Sequence, residues 1–236
     1  IHSSIFNFIL DVKVQIPRFN VQKFSKWLSW AKAIKEKYEP KTEDYPPAPG
    51  INPYRAIPQI ASNIPENSII VCANATACIV TFQTVKISRG LRLFSNSGSA
   101  SMGYDLPAAI GASVANPSKL ILCFAGDGSI MMNLQELQTI KFLNLNIKIV
   151  VLENDGYLSI KQTQRNFFGK YFGSNSESKL TFPNFQKLAR AFDIPTFVYD
   201  RELSKKDIED FLKTVGPCLV SLKLNTEQEF IPRLKS

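Results

Sequence analysis

The chain has 236 residues, is 44% hydrophobic and 20% charged, and carries a formal net charge of +8. That length accommodates one large domain, or one domain plus an appendage, with a sizeable core. It contains no apolar run of the ~18 residues that a membrane span needs and no basic-then-apolar leader of a signal peptide, and its basic residues are scattered without the basic-aromatic stripe of a nucleic-acid face.

The first residue is Ile1, which points to a fragment, a processed product or an excised domain. Apolar residues Phe6, Phe8, Ile9 and Leu10 precede a helix-like stretch over Phe24–Lys37, with Trp27, Leu28, Trp30 and Ile34. Prolines at 40, 46, 47, 49 and 53 then predict an extended linker. We place a domain boundary there, with residues 1–45 as the tail of a preceding domain and residues 46–236 as the main domain. Beyond it the pattern alternates: a helix over Ala56–Ser62, a strand over Ser68–Ala73, a closely packing helix over Pro107–Ala115, and a strand over Leu120–Ala125. A helix follows over Ile130–Leu143, with Leu134, Leu137 and Ile140 on one face, then a strand over Ile147–Leu152. The last part predicts a helix over Phe185–Phe192, a strand over Thr196–Tyr199, a helix from Lys205 to Val215 capped by Ser204, and a strand over Cys218–Leu224. Strands alternating with helices predict an α/β fold: a parallel sheet with helices on both faces, and ligands beyond the C-terminal strand ends.

Two turns carry the chemistry. Gly126-Asp127-Gly128-Ser129 follows the apolar run Leu120–Ala125, and Glu153-Asn154-Asp155-Gly156-Tyr157 follows Ile147–Leu152. Gly126 and Gly128 let a bulky ligand approach the backbone. Ser129 and the amides after it open a helix, where unpaired N–H groups and the dipole favour phosphate. Asp127 offers a hard anionic oxygen and Asn154 a neutral one, and a carbonyl near Gly156 could add a third; magnesium prefers such oxygens and completes its shell with phosphate and water. Each turn alone is common; strand, Gly-Asp-Gly-Ser, helix, strand and Asn in succession are far less so. A dinucleotide fingerprint is a near miss, because Met131 stands where its third glycine belongs. The only histidine, His2, excludes Ser-His-Asp and Cys-His pairs and a His-rich zinc site within the chain. Cys72, Cys78, Cys123 and Cys218 form no C-x-x-C pair and read as reduced thiols of a cytoplasmic protein.

The run from Gly126 to Asn154 resembles the thiamine-diphosphate motif of the acetolactate synthase and pyruvate decarboxylase superfamily. Met102-Gly103-Tyr104-Asp105-Leu106-Pro107-Ala108-Ala109-Ile110-Gly111-Ala112 resembles its glycine-rich helix start, and Met132-Asn133-Leu134-Gln135-Glu136-Leu137 the segment after the diphosphate turn. The resemblance covers about residues 50–225. It implies a thiamine-diphosphate-binding fold, with the N-terminal residues as the end of a central domain and its linker. It implies that Asp127, Asn154 and the carbonyl of Gly156 hold Mg2+, and that Gly126, Gly128 and Ser129 bind the diphosphate. Met102 would be the apolar wedge that bends the cofactor, Tyr157 and Leu158 would lie near the diphosphate, and Thr76, in the loop Asn74–Ala77, would face it. Many relatives have a histidine or glutamine in that loop; this chain has neither, a departure that tells against a histidine-assisted step from it. Ala100 replaces a usual glycine. Glu136 reads as a surface or interface residue. Gln162, Gln164 and Phe168 read either as substrate-bordering residues or as plain loop.

The implied activity is decarboxylation or carboligation of 2-oxo acids, with an acetolactate-synthase-like leaning. No catalytic residue is assigned within the chain: the glutamate that activates the cofactor belongs to a separate pyrimidine-binding domain, usually of another subunit. The chain alone is therefore expected to bind cofactor weakly and not to turn over. A homo-oligomer (dimer or tetramer) in the cytoplasm is implied, with no nucleic-acid or membrane partner, and a flavin in the parent protein is left open. The competing readings are a non-catalytic diphosphate-binding remnant or assembly subunit, and a nicotinamide-binding domain.

Overall fold

The computed structural model describes residues 4–15, 21–41, 45 and 49–231. His2 and the prolines at 46 and 47 lie outside them. The chain separates into two compact units, Ile1–Glu39 and Pro40–Ser236. The first contains helices α1 (Ile5–Gln15) and α2 (Ser25–Tyr38), neither with a buried residue; Phe6, Phe8, Trp27 and Trp30 are all exposed.

The second unit is built on one six-stranded sheet whose adjacent strands all pair in parallel. In chain order it contains α3 (Pro53–Ala61), β1 (Ile69–Cys72), α4 (Ala75–Thr84), β2 (Arg92–Phe94), α5 (Asp105–Ala115) and β3 (Ile121–Gly126). There follow α6 (Asp127–Ile130), α7 (Glu136–Phe142), β4 (Ile147–Glu153), α8 (Leu158–Phe168), α9 (Phe185–Ala191), β5 (Thr196–Tyr199), α10 (Lys205–Leu212) and β6 (Cys218–Lys223). The sheet order is β2-β1-β3-β4-β6-β5.

The side-chain period of two sorts the sheet into two cores. Ile70, Leu122, Phe124, Val150, Leu152, Val220 and Leu222 pack with Ile57, Ile60, Val80, Ile208 and Phe211 from α3, α4 and α10. Val71, Ile121, Cys123, Ile149, Val151 and Leu219 pack with Leu106, Ala109, Leu137, Ile140, Phe185 and Ala189 from α5, α7 and α9. A parallel sheet needs cover on both faces, which is why β3 and β4 are continuous apolar runs. The expected α/β architecture with helices on both faces is present. Lys148 is the one fully buried polar residue of β4; its Nζ donates to the carbonyls of Thr214 (2.5 Å) and Gly216 (2.6 Å). The four cysteines are free, three buried and Cys78 half-buried.

Four expectations change. The helix expected over Ile130–Leu143 is broken: α6 is a single turn, Met131–Asn133 is a 3₁₀ turn, and α7 starts at Glu136. The amides of Leu137 and Gln138 reach only the carbonyls of Leu134 and Gln135, so i→i+3 bonding winds the chain tighter there. Asn74–Ala77 is not a loop but the cap and first turn of α4, and the segment holding Gln162, Gln164 and Phe168 is α8. The proline-rich segment is anchored where it is described: Tyr45 is buried, its ring stacked on Tyr54 at 4.1 Å, and Ile51 bonds to Lys223 and Asn225.

Phe124 is fully buried in a central strand, whereas Phe142 is 81% exposed. Phe124→Ala is expected to cost about 3–5 kcal/mol in urea unfolding, and Phe142→Ala less than about 0.5 kcal/mol. Equal effects would contradict this packing.

Candidate functional site

The connection β1→β2 runs outward in one direction and β3→β4 in the other, so the sheet order reverses between β1 and β3. Loops leaving neighbouring strands diverge at such a point and open a crevice at the C-terminal ends. Cys72 pairs with Phe124, and Gly126 with Leu152. This register brings the residues after β1, β3 and β4 to one edge.

A single cleft there is lined by Thr76, Met102, Gly126, Asp127, Gly128, Ser129, Asn154, Gly156, Tyr157 and Leu158, together with Asn74, Ala75, Ser159 and Ile160. Every residue singled out for cofactor or metal lines it. Gln162, Gln164 and Phe168 do not. Gln162 is buried one turn along α8 from Leu158, with its Nε2 3.5 Å from the Gln228 carbonyl, Phe168 is exposed, and Gln164 braces a loop: its Oε1 accepts from the Phe172 amide (3.0 Å) and the Ser174 hydroxyl (2.7 Å). Glu136 is half-buried on α7 and outside the cleft.

Asp127 is the centre of the arrangement. The residue is only 4% exposed. Oδ1 accepts from the Gly128 amide (2.8 Å), and Oδ2 from the amides of Asn154 (3.1 Å) and Gly156 (3.2 Å). One carboxylate at the end of β3 therefore holds the turn after β4. Burial pushes the Asp127 pKa up to about 7; the three amide donors oppose this, and the nearby Glu153 charge adds to it.

Asn154 is equally buried. Its Nδ2 donates to Thr76 Oγ1 (3.1 Å), which turns Oδ1 the other way, and Oδ1 has no hydrogen-bond partner. A buried acceptor without a partner costs about 1–3 kcal/mol. The Gly156 carbonyl accepts from the Leu158 amide (3.1 Å) and keeps a second lone pair. One carboxylate plus two neutral oxygens fits a hard divalent cation whose remaining charge is balanced by a phosphorylated ligand. No cluster of three His, Cys, Asp or Glu side chains exists among the described residues, so an all-anionic metal site is not available there.

Two glycines are dictated by close approach. A Cβ on Gly128 would lie 2.1 Å from a ring carbon of Tyr157. Gly156 has φ +122°, and its Cβ would lie 2.1 Å from the Ser174 carbonyl oxygen, which itself accepts from the Tyr157 amide (2.8 Å).

Asp105 and Asn133 belong to the neighbourhood although sequence reasoning assigned them no role. Asp105 is fully buried; its Oδ1 accepts from the Leu106 amide (2.8 Å) and its Oδ2 from the Ser129 hydroxyl (2.6 Å). Burial pushes the Asp105 carboxyl above its usual range, against the Ser129 and Leu106 bonds that favour the anion. The signal available in sequence was an acidic residue inside an otherwise apolar helix start, which also reads as an ordinary N-terminal acid.

With this geometry in hand, the comparisons with known proteins are direct. Residues 75–222 match the family described as thiamine pyrophosphate enzyme, C-terminal TPP binding domain. The acetolactate synthase large subunit of Porphyra purpurea is 36% identical over 75% of this chain and 32% of its own length. The acetolactate synthase isozyme 1 large subunit of Escherichia coli K12 is 30% identical over 76% of this chain and 32% of its own. The chain thus spans about a third of these relatives. A solved thiamine diphosphate-dependent 4-hydroxybenzoylformate decarboxylase from Rhodococcus jostii shares the fold, with a TM-score of 0.67 at 18% identity over 81% of this chain and 35% of that one. The chain belongs to the thiamine pyrophosphate enzyme family, as its C-terminal TPP-binding domain.

The raised Asp127 pKa has a signed consequence. Between the ordinary value of 3.8 and about 7, the unfolded chain has lost this proton while the metal-free folded chain keeps it. Asp127 therefore costs stability progressively as pH rises through that window. The uncharged Asp127→Asn variant lacks the cost. Its stability relative to wild type, measured by urea unfolding in chelator, is expected to rise across the window by a few kcal/mol at most, on the order set by ~1.4 kcal/mol per pKa unit. A flat or falling difference would contradict the assigned burial effect.

Proposed function

We propose that this domain supplies the magnesium- and diphosphate-binding half of the active site of a thiamine-diphosphate-dependent carboligase or decarboxylase acting on 2-oxo acids, acetolactate-synthase-like in kind. The observation that carries this reading is the unpartnered Asn154 Oδ1 beside the Asp127 carboxylate, in a cleft that holds every other proposed contact.

Asp127, Asn154 Oδ1 and the Gly156 carbonyl would hold Mg2+. Gly126, Gly128 and the Ser129 amide would receive the diphosphate, with Thr76, Tyr157 and Leu158 around it. Met102 would present an apolar surface to the organic part of the cofactor. Thr76 would act through Asn154: by accepting the amide N–H it leaves the carbonyl oxygen free for the cation. Once bound, the cofactor would supply an electron sink for loss of carbon dioxide from a 2-oxo acid.

The glutamate that activates the cofactor would come from a pyrimidine-binding domain or partner subunit, so the working unit would be an oligomer. Residues 1–45 would be the tail of a central domain. Free cysteines fit a reducing compartment such as the cytoplasm, and no helix among the described residues is long and apolar enough to cross a membrane. The intact Asp127–Asn154–Thr76 arrangement argues against a remnant that has lost binding.

Calorimetric titration of the 236-residue chain with thiamine diphosphate is expected to show binding with Mg2+ and none in chelator. Asp127→Ala and Asn154→Ala should each weaken it by about 10- to 100-fold, the effect typical of lost metal-site groups. Magnesium-independent binding, or full affinity in Asp127→Ala, would overturn the assignment. Robust decarboxylation or carboligation by the chain alone would overturn the requirement for a partner domain.

A further inference from the structure

The Ser129 hydroxyl is close to the proposed diphosphate yet already committed. It donates to Asp105 Oδ2 (2.6 Å) and accepts the Gly103 N–H (2.9 Å). A hydroxyl has one proton, so with Asp105 ionised none is left for a phosphate oxygen. The other side of Gly103 is held as well: its carbonyl, in the Gly103–Tyr104 peptide, accepts from Asn133 Nδ2 at 2.7 Å. Gly103 has φ +79°, and a Cβ there would lie 2.6 Å from Met132 Cβ and 2.8 Å from Asn133 Nδ2. Ser129 and Asn133 thus grip Gly103 through both of its flanking peptides, and the residue before it is Met102, which lines the cleft.

We propose that Asp105, Ser129 and Asn133 form a positioning clamp that fixes Gly103, through the two peptides flanking it, against the diphosphate turn, with the Ser129 hydroxyl serving this clamp and only the Ser129 amide facing the phosphate. The proposal rests on the reading of the cleft as a thiamine-diphosphate site. Asp105 is fully buried, so its carboxylate keeps the hydroxyl pointing away from the ligand. Asn133 does not line the cleft, and its Nδ2 is spent on the Gly103 carbonyl. Met102 is apolar and can contact the organic part of the cofactor but adds nothing to phosphate recognition. The clamp therefore predicts a split between two ligands that share a diphosphate.

The test measures the affinity of the full chain for thiamine diphosphate and for inorganic diphosphate, both with Mg2+, in Ser129→Ala, Asn133→Ala and Asp105→Asn. Each variant is expected to lose roughly tenfold in affinity for thiamine diphosphate, the scale of one lost hydrogen bond, and to keep inorganic diphosphate within about twofold. Hydrogen exchange of the Gly103 amide, read without any ligand, should accelerate in Ser129→Ala. If Ser129→Ala loses both ligands equally while Asn133→Ala loses neither, the hydroxyl is a direct phosphate donor and the clamp is wrong. Wild-type affinity for both ligands in all three variants, or an unchanged Gly103 amide, also overturns it. If Ser129→Ala does not fold, as judged by circular dichroism, Asn133→Ala decides alone through the same ligand ratio. Failure of the wild-type chain to bind thiamine diphosphate would strike the proposed function, while the exchange result would still judge the clamp.

Discussion

The site depends on one buried carboxylate. Asp127 sits where β3 ends, and three backbone amides converge on it, two of them from the turn after β4. Withdrawing a carboxylate from water is costly, and the convergence of donors limits that cost while setting the geometry. Because Oδ2 reaches across to Asn154 and Gly156, the two strand ends cannot drift apart. Because Asn154 is held there, its amide can be oriented by Thr76 from the first turn of α4. Three strands' worth of connections are tied to one acid.

The sheet makes this convergence possible. Alternating residues of β1, β3, β4 and β6 fill two separate cores, so both faces are covered by helices and the strands stay parallel. Parallel strands place all their C-terminal ends at one edge, and the reversal between β1 and β3 leaves the crevice uncovered. Short, oxygen-bearing turns follow the apolar runs because side chains beyond the strand ends no longer have a core to enter. The brace continues outward: Gln164 holds Ser174, whose carbonyl accepts from Tyr157, whose ring lies over Gly128.

Where the sequence pattern was clean, the elements were legible. The strands at Ile121–Gly126, Ile147–Glu153 and Thr196–Tyr199 were predicted within a residue or so, and Ser204 does cap α10 through a reciprocal bond with Asp207. The missing elements share a cause. In α4 apolar and small residues occur on every side, so no helical stripe stands out. In α8 the buried positions Leu158, Lys161 and Gln162 have helical spacing, but two of them are polar; Lys161 is tolerated there because its Nζ donates to the Thr226 carbonyl at 2.6 Å. β2 is a three-residue edge strand with little burial. Partners distant in sequence decided each case, and local periodicity does not report them.

The amino-acid sequence by itself determined the chemical groups available, the order of strands and helices, and the two turns that carry metal-preferring oxygens, because these follow from residue type and short-range spacing. Only the tertiary structure decided how each group is used. It gave Asp127 three amide donors, left Asn154 Oδ1 without one, and committed the Ser129 proton to Asp105. The physical reason is that a hydrogen-bonding group has few valences, and which of them remain free is set by neighbours that the fold brings together from tens of residues away.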